Sequence, residues 1–175
     1  NTCLHYACAY GWWFCVQALL QAGACLQPRN EWGLSPLGVA VMKGHKGIAD
    51  HLATLPGIDI NMKDDKGRTL LASMLVEQQG GGFSMNFLDE IKVLVERHGA
   101  DPQLADFGGR SSLHHLAASA CGPGLKAWVQ QKEDKDHRKE LDAMLAIATY
   151  LNKRGVSTWV ADNNGDFPIT IALTT

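Results

Sequence analysis

Residues Asn30 to Asn61 read NEWGLSPLGVAVMKGHKGIADHLATLPGIDIN, and the rest of the chain can be laid over them again and again. Ser35-Pro36-Leu37 opens the pattern, small and apolar residues run to Val41, Gly44-His45 interrupts it, and the Ile48/Leu52 spacing suits the buried side of a second short helix. A hydroxyl before a helix accepts a free backbone N–H, and proline beside it loses nothing, since its missing N–H would be unpaired there. Gly44 then ends the first helix where a left-handed backbone is easy only for glycine.

Each copy starts with a Ser or Thr, a Leu two residues on and a Gly two residues before. Thr2/Leu4, Ser35/Leu37 with Gly33, Thr69/Leu71 with Gly67 and Ser111/Leu113 with Gly109 fit; Phe167/Ile169 with Gly165 puts Phe where the hydroxyl belongs. The starts at 2, 35, 69, 111 and 167 lie 33, 34, 42 and 56 apart. That is a period near 33, with about nine and then about 23 residues inserted in the third and fourth copies. Second-half marks recur as well: Leu19-Leu20 before Gly23, Leu52 before Gly57, Val95 before Gly99 and Leu151 before Gly155.

In these features the chain resembles the ankyrin-repeat family, whose signature is a period of about 33 residues and T-P-L-H-x-A. The signature stands as Thr2-Cys3-Leu4-His5-Tyr6-Ala7, Ser35-Pro36-Leu37-Gly38-Val39-Ala40, Thr69-Leu70-Leu71-Ala72-Ser73-Met74, Ser111-Ser112-Leu113-His114-His115-Leu116 and Phe167-Pro168-Ile169-Thr170-Ile171-Ala172. The resemblance implies an all-α solenoid of stacked helix-turn-helix units with projecting β-turn loops. Its repeats would cover about 1–28, 29–61, 62–103 with an insertion near 78–87, 104–158 with an insertion near 121–141, and a partial 159–175, as one domain. Helices of two to three turns are marginal alone and draw their stability from packing on neighbouring units. In the family the signature His bonds backbone between units. This chain keeps it at His5 and His114 and has Gly38, Ala72 and Thr170 elsewhere, so the second-to-third junction is expected to be softer.

With 16 Lys and Arg against 18 Asp and Glu, and no basic stripe, the chain lacks the means to neutralise phosphates, which argues against nucleic acid. No apolar run reaches a membrane span and no signal peptide opens the sequence. Five cysteines, Cys3, Cys8, Cys15, Cys25 and Cys121, are odd in number and several take register positions that read as helical and buried. Free thiols and an intracellular, cytoplasmic or nuclear, setting follow. The uncovered apolar residues at each end, Leu4 and Ala7, then Ile169, Ile171 and Leu173, read as a fragment flanked by further repeats or domains of the same protein.

Gly80-Gly81-Gly82 lacks the Lys-Ser/Thr pair and preceding strand of a phosphate-binding loop, and reads as a connector. Phe83, Met85 and Phe87 after it are expected to fold back on the repeat. The mixed-charge segment 132–140 pairs Asp134 with Arg138 and Lys132 with Asp136 at helical spacing. It reads as a solvated helix or loop, with a docking arm around Trp128 as the alternative. Cys3, His5, Cys8 and His114-His115, Cys121 have no zinc-ligand spacing, and no carboxylate motif orients a nucleophile. Neither a metal nor a cofactor is expected, and no catalysis.

The resemblance also implies that turn tips and exposed first-helix positions form a concave surface for another protein. The tips are Glu31-Trp32, Asp65-Lys66, Phe107-Gly108 and Asn163-Asn164; the helix positions include Tyr10, Met42, Lys43, Glu77 and Ser119. Trp32 and Phe107 are either interface anchors or aromatics packed sideways on the next tip. Trp12-Trp13-Phe14 reads as core, or as cover for a preceding unit. The expected function is a non-catalytic protein-binding module. The alternatives are a recruiting or regulatory segment of a larger enzyme and a spacer.

Overall fold

The structure is a computed structural model, and it describes residues 1–77, 85–120 and 135–168. It divides into two compact units, Asn1–Lys66 and Gly67–Thr175. The division falls within the turn that opens the third repeat, between Lys66 and Gly67.

The first unit holds α1 (Cys3–Ala9), α2 (Trp13–Gln21), α3 (Pro36–Met42) and α4 (Lys46–Ala53). Ser35 Oγ accepts from the Gly38 amide at 3.2 Å and Pro36 occupies the first helical turn, as the local chemistry dictates. Helices α1 and α3 pack side by side, and Leu4, Ala7, Cys8, Val16, Leu37, Ala40, Ile48 and Leu52 close their common core. Truncating a leucine as enclosed as Leu52 costs about 2–5 kcal/mol.

The second unit contains α5 (Leu70–Glu77), α6 (Met85–Lys92), α7 (Ser112–Ala120) and α8 (Lys135–Lys153). Helix α6 runs on into a wider π-type turn at Val93–Arg97. Core residues include Leu71, Leu75, Phe87, Ile91, Leu94, Leu113, Leu116, Ile147 and Leu151. Among the described residues every regular element is helical, as expected.

Three details depart from the sequence reading. Leu94, rather than Val95, is the buried residue before Gly99, because the π turn shifts the inward face by one position. Cys3, Cys15 and Cys25 are exposed; of the cysteines described only Cys8 is buried. Burial pushes the Cys8 thiol up to about 12. Of the Trp12-Trp13-Phe14 cluster, only Trp13 turns inward, against His51 with ring centroids 5.1 Å apart. Trp12 and Phe14 are exposed, so they are not core of these residues.

Phe87 lies in the core of the second unit. Residues 85–87 form the first turn of α6, and residues 135–141 the first part of α8, so both insertions run into helices. Gly80-Gly81-Gly82, Phe83, Cys121, Trp128, the 132–138 charge pairs, the Glu77 side chain and residues 169–175 lie outside what is described.

Candidate functional site

The turn tips are built from an Asn or Asp three residues before a Gly. Asn30 Oδ1 accepts the amides of Trp32 and Leu34 at 3.0 and 2.9 Å, and the Gly33 amide returns to the Asn30 carbonyl. Asp106 Oδ1 does the same for Gly108 and Arg110, and Asp162 Oδ1 for Asn164 and Asp166. Asp64 receives the Lys66 amide. A side-chain oxygen placed there replaces a missing strand partner, which is why Asn or Asp recurs at this position.

The two residues of each tip differ in what they meet. A methyl built on Gly33 would lie 2.6 Å from the Asp65 amide nitrogen, one on Gly67 would lie 2.6 Å from Phe107, and one on Gly109 would lie 2.6 Å from Asn163 Oδ1. The first tip residue therefore leans on the glycine of the turn before it. In the second unit the contact is reinforced: Asn163 donates its amide to Gly108 O at 2.8 Å and Nδ2 to Phe107 O at 3.0 Å. The second tip residue points away. Trp32 holds that outward position and is 62% exposed, whereas Phe107, 67% exposed on its other side, lies on Gly67.

The remaining anticipated residues sort in the same way. Glu31, Lys66, Asn163 and Asn164 are exposed. Glu31 accepts from Asn1 at 3.2 Å, and Asp65 faces Arg29 at 3.6 Å across open surface. Lys43 is exposed and Met42 half-buried at the end of α3. Tyr10 is exposed and stacks on Trp12 with centroids 5.0 Å apart. Ser119 is not free: its hydroxyl donates to Leu75 O at 2.6 Å.

The linking histidines tie neighbouring repeats within each unit. His5 Nδ1 receives the Thr2 amide at 3.0 Å, so the ring proton sits on Nε2 and is donated to Leu34 O at 2.9 Å. His114 repeats the arrangement, with Nδ1 taking the Ser111 amide at 3.1 Å and Nε2 reaching Asp166 O at 3.1 Å. A second tie comes from His45, whose Nε2 meets Ala9 O at 3.1 Å; its ring passes over Gly11, where a methyl would lie 2.6 Å from it. The same register, tips and histidine ties thus recur in both units. A family profile described as ankyrin repeats (3 copies) matches residues 1–64.

The chain belongs to the ankyrin-repeat family. The Caenorhabditis elegans protein named poly [ADP-ribose] polymerase tankyrase is 35% identical to it over 178 residues, which take in 99% of this chain and 8% of that protein. Mouse ankyrin repeat and SOCS box protein 16 is 32% identical over 203 residues, 97% of this chain and 40% of its own length. Human Rabankyrin-5 is 29% identical over 114 residues, 65% of this chain and 9% of that protein. The ankyrin chain therefore spans between 8% and 40% of these relatives. Ankyrin repeats are in general protein-interaction modules. Among the described residues no helix is long and apolar enough to cross a membrane, and no three His, Cys, Asp or Glu side chains gather as a metal would need.

Other features of this ankyrin surface went unread in the sequence. Tyr6 is exposed on α1. Trp159, 74% exposed, occupies the register place of Gln27 and Gln103, whose amides reach the next repeat's Asp59 O and Arg154 O. Its position relative to the Asp162 turn would have found it. Arg110 Nε bonds buried Asp162 Oδ2 at 3.0 Å. Burial raises the Asp162 pKa, but the Arg110 bond and the Asp166 and Asn164 amides outweigh it and hold the carboxyl below its usual value.

Proposed function

We propose that this ankyrin chain is a non-catalytic module that captures another protein with its turn tips and the exposed ends of its first helices. The observation that carries the reading is Trp32. A large aromatic stands at the outward tip position, unneeded by the turn that holds it, beside Glu31 and in the same unit as Tyr10, Met42, Lys43, Asp65 and Lys66. Aromatics held in this way are the common anchors of protein interfaces. In the second unit Phe107, Asn163 and Asn164 supply the corresponding tips. The repeats stand as one domain of a longer intracellular protein with further repeats or domains on either side, as the relatives' greater lengths support. If that protein is an enzyme, this segment recruits or positions, and its catalytic domain lies elsewhere.

The two tip aromatics separate the roles. Trp32→Ala is expected to weaken capture of a native partner by about tenfold or more while moving the Tm by less than about 2 °C. Phe107→Ala is expected to lower the Tm further than Trp32→Ala, since its ring lies on Gly67. Pull-down and binding titration of each variant beside its thermal melt decide it. Unchanged capture by Trp32→Ala would remove Trp32 from the interface.

A further inference from the structure

Beneath the Phe107 tip sits a buried titratable pair that the repeat signature does not require. His115, at the variable position of Leu113-His114-His115-Leu116, is 5% exposed, and its Nε2 lies 3.2 Å from Asp106 Oδ2. That nitrogen has no aligned hydrogen-bond partner. The other oxygen of Asp106 holds the turn closed by accepting the Gly108 and Arg110 amides at 2.8 and 2.9 Å. The corresponding position is Tyr6 in the first repeat and Val39 in the second, so an imidazole here is a departure from the pattern.

We propose that His115 is a proton-operated latch under the 106–110 turn, closed when the imidazole is neutral and opened by protonation. This rests on the reading of Phe107 and its neighbours as partner-facing tips, and it gives those tips a pH response. The charged and titratable groups facing the ring are Asp106 and Arg110 from the turn, Arg68 from the segment before α5 and His114 from α7 itself. A proton on Nε2 adds a positive charge beside Arg68 and Arg110, with the Asp106 carboxylate facing the ring and the Asp162 carboxylate already bonded to Arg110. The site is nearly dry, and there the desolvation of a charge can exceed what a facing carboxylate returns, which is why burial outweighs Asp106 at this ring. His114 pins α7 at its start, so the turn, exposed on its outer side at Phe107 and Gly108, is the part that can move and admit water. Burial, the larger influence, and the two arginines hold the imidazole below 6.5 against the pull of Asp106.

NMR titration of the full chain from about pH 8 to about pH 5 follows the His115 ring and the Gly108 and Arg110 amides. The expected result is one shared midpoint below 6.5, and amides that no longer titrate in His115→Gln. Asp106→Asn keeps the turn, since Asn30 builds the same turn in the first unit, and removes the facing carboxylate; its midpoint is expected to fall further. A midpoint at or above 6.5 would overturn the latch. So would amides that stay still while the ring protonates, amide titration that persists in His115→Gln, or a midpoint that rises in Asp106→Asn. If His115→Gln does not fold, the Asp106→Asn titration decides. None of these readouts involves a partner, so failure to capture a protein and failure of the latch are separate results.

Discussion

Gly33 has two reasons to be glycine, and sequence spacing exposes only one of them. Its φ of 75° lies in the left-handed region, which an L side chain enters at a cost of about 1 kcal/mol or more. Its Cα is also pressed by the Asp65 backbone, where a methyl would sit 2.6 Å from a nitrogen that cannot move without its turn. Gly23 has the same kind of backbone, φ 79°, with nothing within 4 Å. Gly33→Ala is therefore expected to destabilise by about 2–4 kcal/mol and Gly23→Ala by about 1 kcal/mol, measured by urea unfolding. Equal losses would show that close approach between turns contributes nothing. The same distinction separates Trp32 from Phe107: both read as tip aromatics, and only the neighbouring glycine reveals which one is laid flat.

At the scale of the element, helix starts were the most legible part. A hydroxyl with a Leu two positions on specifies a capped short helix through contacts within one turn, and α1, α3, α5 and α7 all begin there. Where α6 and α8 start was not legible, because each follows an insertion that breaks the repeat spacing. The histidine ties bind one element to the next, and their worth follows from burial. His114 is wholly buried and serves the Ser111 amide, the Ser111 hydroxyl and Asp166 O. His45 is half-buried and ties to the first repeat through its Nε2 contact with Ala9 O. His114→Ala is expected to lose about 2–4 kcal/mol and His45→Ala about 1 kcal/mol, since orphaned buried groups add their desolvation to the lost bonds. Chemical denaturation of both variants ranks them; a larger loss for His45→Ala would reverse the argument.

For the whole molecule, the histidines give stability a direction with pH. His5 is held below 6.5, chiefly by burial and against the Leu34 bond that favours its charged form; His115 is lowered in the same sense. A depressed histidine binds its proton more readily in the unfolded chain, so its contribution is complete above 6.5 and is lost as pH falls toward the folded value. Asp162, held below 3.8, adds a second loss at lower pH. The unfolding free energy is thus expected to be flat above about pH 7.5 and to decline on acidification by up to about 1.4 kcal/mol per pH unit for each such histidine. Urea midpoints at about pH 7.5, 6 and 5 measure it, and a midpoint that holds steady across them would contradict the assignment.

The sequence by itself determined the repeat register, the short capped helices, the Asn or Asp at each turn and the ankyrin family, because each of these is set by spacing within a few residues or by recurrence of that spacing. Only the tertiary structure decided the rest: that Trp32 points out while Phe107 lies on Gly67, that Ser119 is tied down, that Cys3 and Cys15 face outward, and that His115 sits under Asp106. Those outcomes depend on the repeat packed alongside. Its contributing residue can stand 52 positions away in the chain, as Asp166 does from His114, and no local pattern reports what a distant neighbour will cover.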